Sequence, residues 1–366
     1  MYSKAKNTSV HFTYLDSYEM DSVRNHVEIA KKDLKPGKWF YLRAPPFYLE
    51  KILPKLTNKL REYSKLRRGF TSGANDFFYL NDITHLYDTD YLTNRERLEE
   101  MGIRMTNSRE LIHQDLVYIE NERGERFVID RKDTIPIIRS PKQLGSYQIA
   151  KPTTLCLFTR SPGKFTLIYI KHGEDLGLQK RPTIVNHNPW YKLADLTPAH
   201  ILLVKSPIET FYVPISETPL ICDQRLYLLN TKSPEKMWIY LNSTIALLTI
   251  QLYSRKGSSS SRGSVMDAAV EDYEEMPVPS LDSLTIEYDT TIQLRRKALK
   301  YKDEIKQIDR KELDKSVLKA LGFDKPENVL HELYEAFVEV VEDRLIKTDE
   351  SIDSSEGKKT SVEEVN

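Results

Sequence analysis

Cysteine is nearly absent: 366 residues hold only Cys156 and Cys222. The two have no metal-ligand spacing and imply no disulfide framework, so a reducing cytoplasm is the expected compartment. Long apolar runs are missing too. None approaches the roughly 18 residues of a membrane span, and the N-terminal MYSKAKNTSV lacks the apolar stretch of a secretion signal. Charge of one sign is not in excess, because 54 Lys and Arg balance 54 Asp and Glu. That balance argues against an indiscriminate polyanion binder. No G-x-x-x-x-G-K-[ST] segment occurs, which removes a Walker-type nucleotide site. The 8 histidines form no H-E-x-x-H or H-x-x-E-H pair, so a zinc centre is not expected. No G-x-S elbow with a partnered histidine stands out. DRKDTIPIIRS sets acids near a lysine without the spacing of a metal nuclease.

What is present is charge sorted along the chain. Residues 1–68 carry 15 Lys and Arg against 7 Asp and Glu, whereas residues 265–290 carry eight acids and no base. The stretch from Asp343 to Asn366 has seven acids and four bases. A basic end of this kind is a candidate nucleic-acid face, with plain solvated surface as the alternative.

Periodicity divides the chain further. EKILPKLTNKLREYSKL, residues 50–66, sets Ile52, Leu53, Leu56, Leu60 and Leu66 on one side of an expected helix. FFYL then reads as a strand. From about 100 to 232 the pattern is mainly β, with LCLFTRSPGKFTLIYI expected to be a hairpin turning at Ser161-Pro162-Gly163 and HILLVKSPIETFYVPIS a strand–turn–strand. Helix returns at SPEKMWIYLNSTIALLTIQLYSRKG, with Ser233 as cap, Pro234 in the first turn, and Asn242-Ser243 splitting the segment so that Ser243 caps a second helix. Leu294, Ala298, Tyr301, Ile305 and Ile308 keep a coiled-coil step. A later helix carries Leu330, Leu333, Phe337, Val341 and Leu345, preceded by Gly322 and Pro326. The expected class is α+β, a mixed or antiparallel β-rich domain with flanking helices and a C-terminal helical hairpin. The expected division is a junction segment 1–49, a main domain 50–285, a hairpin 286–347 and a disordered tail 348–366.

One fragment touches on catalysis. DNA amino-methyltransferases use an Asp/Asn/Ser-Pro-Pro-aromatic loop, whose polar first residue accepts hydrogen bonds from the amine while the ring stacks on the flipped base. Here Ala44-Pro45-Pro46-Phe47 begins with alanine, which has no side-chain acceptor. No glycine-rich cofactor turn precedes it, since Gly37 is the first glycine of the chain.

RRGFTSGANDFFYL, residues 67–80, resembles the entry segment of the C-terminal target-recognition (TaqI-like specificity) domain of adenine-specific DNA methyltransferases. Arg68, Gly69, Gly73, Asn75 and Phe78 match the form R-x-G-x-x-T-G-x-N-x-x-F, with Thr71-Ser72 where the family has Thr beside Gly. Further on, WYKLADLTPAHILLVKS from Trp190, YLNSTIALLTIQLYSRKGSSSSRG and EEMPVPSL are similar to that family's later segments in the same order. RKELDKSVLKALGF resembles its closing tail. The resemblance spans about residues 35–345, but the catalytic domain that precedes this region in the family is not matched.

The resemblance implies a DNA sequence-recognition (specificity) subunit, or a split C-terminal half, of an N6-adenine methyltransferase in restriction–modification or phage defence. Such a subunit is not catalytic by itself. It holds no cofactor, and S-adenosylmethionine is expected in a separate catalytic subunit. The expected partners are duplex DNA, that subunit and a second copy of the chain through residues 294–345.

Read physically, Gly69 and Gly73 permit positive φ and a close approach of backbone to a bulky polyanion. Arg67 and Arg68 suit phosphate or guanine, and Asn75 suits adenine. Thr71 and Ser72 supply hydroxyls. Arg255, Lys256 and Arg262 on a Ser/Gly loop suit backbone phosphates. Asn75-Asp76 also reads as a plain turn, Trp190 and Tyr191 as core aromatics, and Asn242-Ser243 as helix caps. Two other functions stay open: a divergent methyltransferase using APPF, and a protein-interaction module without DNA.

Overall fold

The computed structural model describes residues 9–15, 23–30, 40–150, 152–194, 196–256, 266–289 and 296–360. Two units divide the chain: Arg67–Leu203 with Pro214–Asn230, and Met1–Leu66 with Val204–Val213 and Thr231–Asn366.

A nine-stranded mixed sheet organises the first, sheet unit. Its strands are β1 Ser64–Arg68, β2 Tyr79–Asp82, β3 Leu116–Asn121, β4 Arg126–Asp130, β5 Thr134–Ile138, β6 Thr154–Leu157, β7 Ala199–Val204, β8 Ile215–Cys222 and β9 Leu226–Thr231. They lie in the order β1-β9-β7-β8-β5-β6-β2-β3-β4. The β2–β3, β2–β6, β3–β4, β5–β6 and β7–β8 pairs are antiparallel, and β8 runs parallel to β5. The α+β class expected from the sequence is therefore observed. Turn chemistry fixes the β3–β4 hairpin: Asn121 Oδ1 accepts from the amides of Arg123 and Glu125, and Gly124 takes a φ of 76°.

Helices α1 Tyr87–Glu100, α2 Ser108–His113 and α3 Lys164–Asp175 pack around this sheet. The third overturns the expected hairpin at Ser161-Pro162-Gly163. The β-branched run TLIYI favours a strand locally, but Thr166, Tyr169, Ile170 and Gly173 bury one face at helical spacing. Carboxylates secure the helix start. Asp130 Oδ2 accepts from the amides of Phe165 and Thr166, both at 2.9 Å, and Asp133 Oδ2 from Gly163 N at 2.7 Å. Tyr169 stacks on Phe77 with centroids 4.3 Å apart. Trp190 lies beside Phe77 and Phe78, so it is a core aromatic. Gly173 lets it in, since a Cβ there would sit 2.7 Å from the indole.

The second, helical unit contains α4 Pro234–Leu241, α5 Thr244–Tyr253, α6 Ile308–Ala320 and α7 Pro326–Thr360. The break between α4 and α5 falls where expected, and Ser243 caps α5 through Ala246 N. Ser233 stands at the start of α4 but offers its carbonyl to Met237 N instead of a side-chain cap. Gly322, at φ 82°, follows α6, and Pro326 opens α7.

Two helical expectations fail in this unit. Residues 50–66 do not form one helix. Short helical turns at Tyr48–Ile52, Leu53–Lys55 and Leu60–Glu62 alternate with strand Asn58–Lys59, which pairs with Pro277–Val278. Pro54 lacks an amide donor, and the ladder with 277–278 takes over. Ile52, Leu56, Leu60 and Leu66 are still buried. The heptad step from 294 to 308 is likewise discontinuous. Leu294 lies outside the described residues, the short helix Tyr301–Glu304 ends before α6 begins at Ile308, and Ile308 is 80% exposed.

The apolar stripe of α7, expected to seek a partner, is instead covered within the chain. Leu333, Phe337 and Val341 are buried where α7 packs on α5 and α6. Phe337 meets Phe211 and Tyr301 edge-on. Residues 361–366 of the expected tail lie outside the described residues.

Candidate nucleic-acid interface

The stretch after β1 is held by the chain's own backbone. Gly69 N donates to Leu226 O at 3.0 Å and Phe70 N to Cys222 O at 3.1 Å, while Gln224 N returns a bond to Phe70 O. A Cβ on Gly69 would lie 2.2 Å from the carbonyl oxygen of Asp223 and 2.3 Å from that of Cys222. The close approach at this glycine is made by the chain's own residues 222–223, where a polyanion was expected, and Gly69 is not among the glycines of positive φ. Gly69→Ala is expected to destabilise the protein by about 1–3 kcal/mol, because two backbones must part. The urea midpoint measures this, and a loss below about 0.5 kcal/mol would contradict it.

Beyond Phe70 the loop closes on itself. Gly73 has the positive φ expected of it, 74°, and its carbonyl accepts from Thr183 Oγ1 at 2.9 Å. Ser72 is fully buried; its hydroxyl receives Ala74 N at 3.2 Å and donates to Asn75 Oδ1. Asn75 begins a single helical turn, Asn75–Phe78, and is exposed, as is Thr71. The Asn75 side chain thus accepts from the Ser72 hydroxyl within the loop.

Arg67 and Arg68 end β1 exposed. Arg68 is oriented by the tight turn between β8 and β9: its Nε donates to Gln224 O at 2.9 Å and its Nη2 to Gln224 Oε1 at 3.3 Å. The next residue, Arg225, pairs with Asp223 at 3.1 Å and donates Nη2 to Arg139 O at 2.9 Å. Asp223 also accepts from Tyr79 OH at 3.2 Å. Burial and the Asp223 charge raise the Tyr79 phenol far above its ordinary pKa, so it stays a donor. Arg139 lies over the Tyr79 ring, 4.6 Å from its centroid, and pairs with Glu122.

Glu122 leads along the chain to Arg123, which meets Asp76 at 2.7 Å. Arg181 grips the same carboxylate with two 2.9 Å bonds. The Arg181 hydrogen bonds, and then those of Arg123, pull the Asp76 pKa from 3.8 to about 2 against the cost of burial. Contacts thus run across the sheet unit from Arg68, at the end of β1, to Arg123 in the β3–β4 turn and Arg181. Along that path Arg67, Arg68, Arg123, Arg139, Arg181 and Arg225 outnumber Asp76, Glu122 and Asp223.

Of these cations only Arg67 and Arg68 were expected from the sequence. The others pair over long separations, such as Asp76 with Arg181, which leave no local signature. Arg255 and Lys256 belong to the helical unit, where they form a two-residue strand with Met266–Asp267. Arg262 lies outside the described residues.

The APPF stretch is packed into the helical unit. Ala44 is fully buried, and Tyr48 N turns back to Pro45 O at 2.9 Å. The flanking Arg43 donates to Gln251 O at 2.9 Å and Tyr48 OH to Thr249 Oγ1 at 3.1 Å, so the segment packs on α5. Among the described residues no group of three His, Cys, Asp or Glu is placed to hold a metal ion. Nor is any described helix long and apolar enough to cross a membrane.

No protein-family model matches the chain, and no curated protein does. Among solved structures it is similar to the type IIG restriction endonuclease BpuSI, with 12% identity and a TM-score of 0.45. The match covers 87% of this chain and 36% of that one, so the chain spans about a third of that enzyme's length.

Proposed function

We propose that the chain is the DNA target-recognition subunit of a site-specific N6-adenine methyltransferase of a restriction–modification or phage-defence system. A separate catalytic subunit binds S-adenosylmethionine and flips the adenine. The observation that carries this reading is the joining of the motif-bearing loop 67–78 to a series of arginines across the sheet unit. Arg67 and Arg68 stay exposed there while the backbone beneath them is fixed. Rigid placement lowers the ordering cost of binding, and guanidinium groups suit both phosphate oxygens and guanine edges. Thr71, Ser72, Gly73 and Asn75 shape the loop that would enter the groove, and Arg255, Lys256 and Arg262 are proposed as further phosphate contacts.

The test is a fluorescence-anisotropy titration with random-sequence duplex over a range of salt concentrations. Binding should weaken linearly on a log–log plot, by about 0.9 in slope for each phosphate contact. Absence of binding at low salt, both alone and with the protein encoded by the neighbouring gene, overturns the proposal.

A further inference from the structure

Asp76, Arg123 and Arg181 are brought together from three separate segments: the turn after the motif loop, the β3–β4 turn, and the loop following Leu178–Lys180. We propose that Arg123 and Arg181 form a clamp for one phosphate of the duplex backbone, with Asp76 as the residue that positions both. This rests on the DNA-binding reading and names a contact that the sequence motifs do not contain.

Geometry supports a ligand role over a plain ion pair. One carboxylate serves two guanidinium groups, so the trio keeps an excess positive charge. Glu125, the next acid along the turn, is taken up by Asn121 at 2.8 Å and His172 at 3.1 Å. Arg123 spends Nε and Nη2 on Asp76, and Arg181 spends Nη1 and Nη2, so each fork has a nitrogen outside these bonds. The side chains are 29%, 34% and 30% exposed for Arg123, Arg181 and Asp76, which leaves all three within reach of a surface ligand. Guanidinium groups already held in place lose little freedom when each turns its remaining nitrogen to a phosphate oxygen, and the planar fork that holds them on Asp76 is one that lysine does not supply. Thr183, two residues beyond Arg181, ties the same loop to Gly73, so clamp and motif move together.

Three variants in the full chain separate a clamp from a structural tie. A tie through Asp76 is broken equally by Arg123→Gln, Arg181→Gln and Asp76→Asn, so all three should then behave alike. A phosphate clamp predicts a split. Each arginine variant should weaken binding of random duplex about equally for all sequences and reduce the salt slope by about one. Asp76→Asn, which keeps both cations but weakens the carboxylate that positions them, should retain the parent's salt slope and lose less affinity than either arginine variant. Arg181→Lys should retain the salt slope while losing part of the affinity, which guards against reading a folding defect as lost contact.

Equal loss in all three variants, or unchanged slope in both arginine variants, overturns the clamp. If the parent chain binds no duplex, the DNA-binding reading fails with it; if only the clamp fails, the parent still binds. Competition by inorganic phosphate beyond its effect as salt, or preference for an RNA duplex, would overturn duplex DNA as the source of the phosphate.

Discussion

Replacing Arg310 with leucine should cost about 3–5 kcal/mol of stability, the range found when one member of a buried ion pair is removed. Arg310 has no exposed side-chain surface, and Glu304 beside it has 5%. Its Nε and Nη2 donate to Glu304 Oε1 at 3.2 and 3.1 Å, and Nη1 to the carbonyl of Asn242. Leucine leaves that carbonyl, at the end of α4, without its donor. It also removes the main charge that opposes the burial-driven rise of the Asp314 pKa. Asp314 in turn accepts from Thr244 N and Thr244 Oγ1, both at 2.6 Å, and from Tyr334 OH at 3.0 Å, so it stitches the start of α5 to α6 and α7.

The loss is therefore shared across three helices. Urea denaturation followed by circular dichroism measures it, with Arg310→Lys expected to recover part through its retained charge. A leucine variant within about 1 kcal/mol of the parent would mean that apolar packing offsets the missing charge, as it does in some redesigned buried ion pairs.

The sequence made some of this fold readable and hid the rest for identifiable reasons. The α4–α5 break was legible because a serine cap acts on its own next turn, and Gly322 and Pro326 punctuate α6 and α7 in the same local way. α3 was misread because LIYI favours a strand while its cap comes from Asp130 and Asp133, more than 30 residues earlier and invisible to a local window. Residues 50–66 carried a true burial pattern on a false helix, since the deciding partner was Pro277–Val278. The stripe on α7 is apolar as its sequence implies, yet its partners are α5 and α6 of the same chain. The candidate site shows the same division. Arg67 and Arg68 lie in one contiguous motif, whereas Arg123, Arg139, Arg181 and Arg225 become neighbours only through the sheet.

Arg67→Ala and Arg68→Ala should each lower duplex affinity about tenfold, and the double variant about a hundredfold, with separable causes. Arg67 is exposed at the end of β1, so its loss should remove a charge contact and cut the salt slope by about one. Lysine at this position should recover the slope. Arg68 does more, because its guanidinium rests on Gln224 and so couples β1 to the turn that also holds Arg225. Lysine cannot reproduce that fork, so Arg68→Lys should retain charge and still bind weakly. Anisotropy titrations of the four single variants and the alanine double, against random duplex and against a duplex carrying the recognised site, decide the matter. If lysine restores both positions equally, Arg68 is one more phosphate contact. If it restores only Arg67, then Arg68 with the Gln224 turn belongs to the reading of base edges. If the alanine double variant binds with unchanged affinity and slope, the motif loop is not where this chain meets DNA.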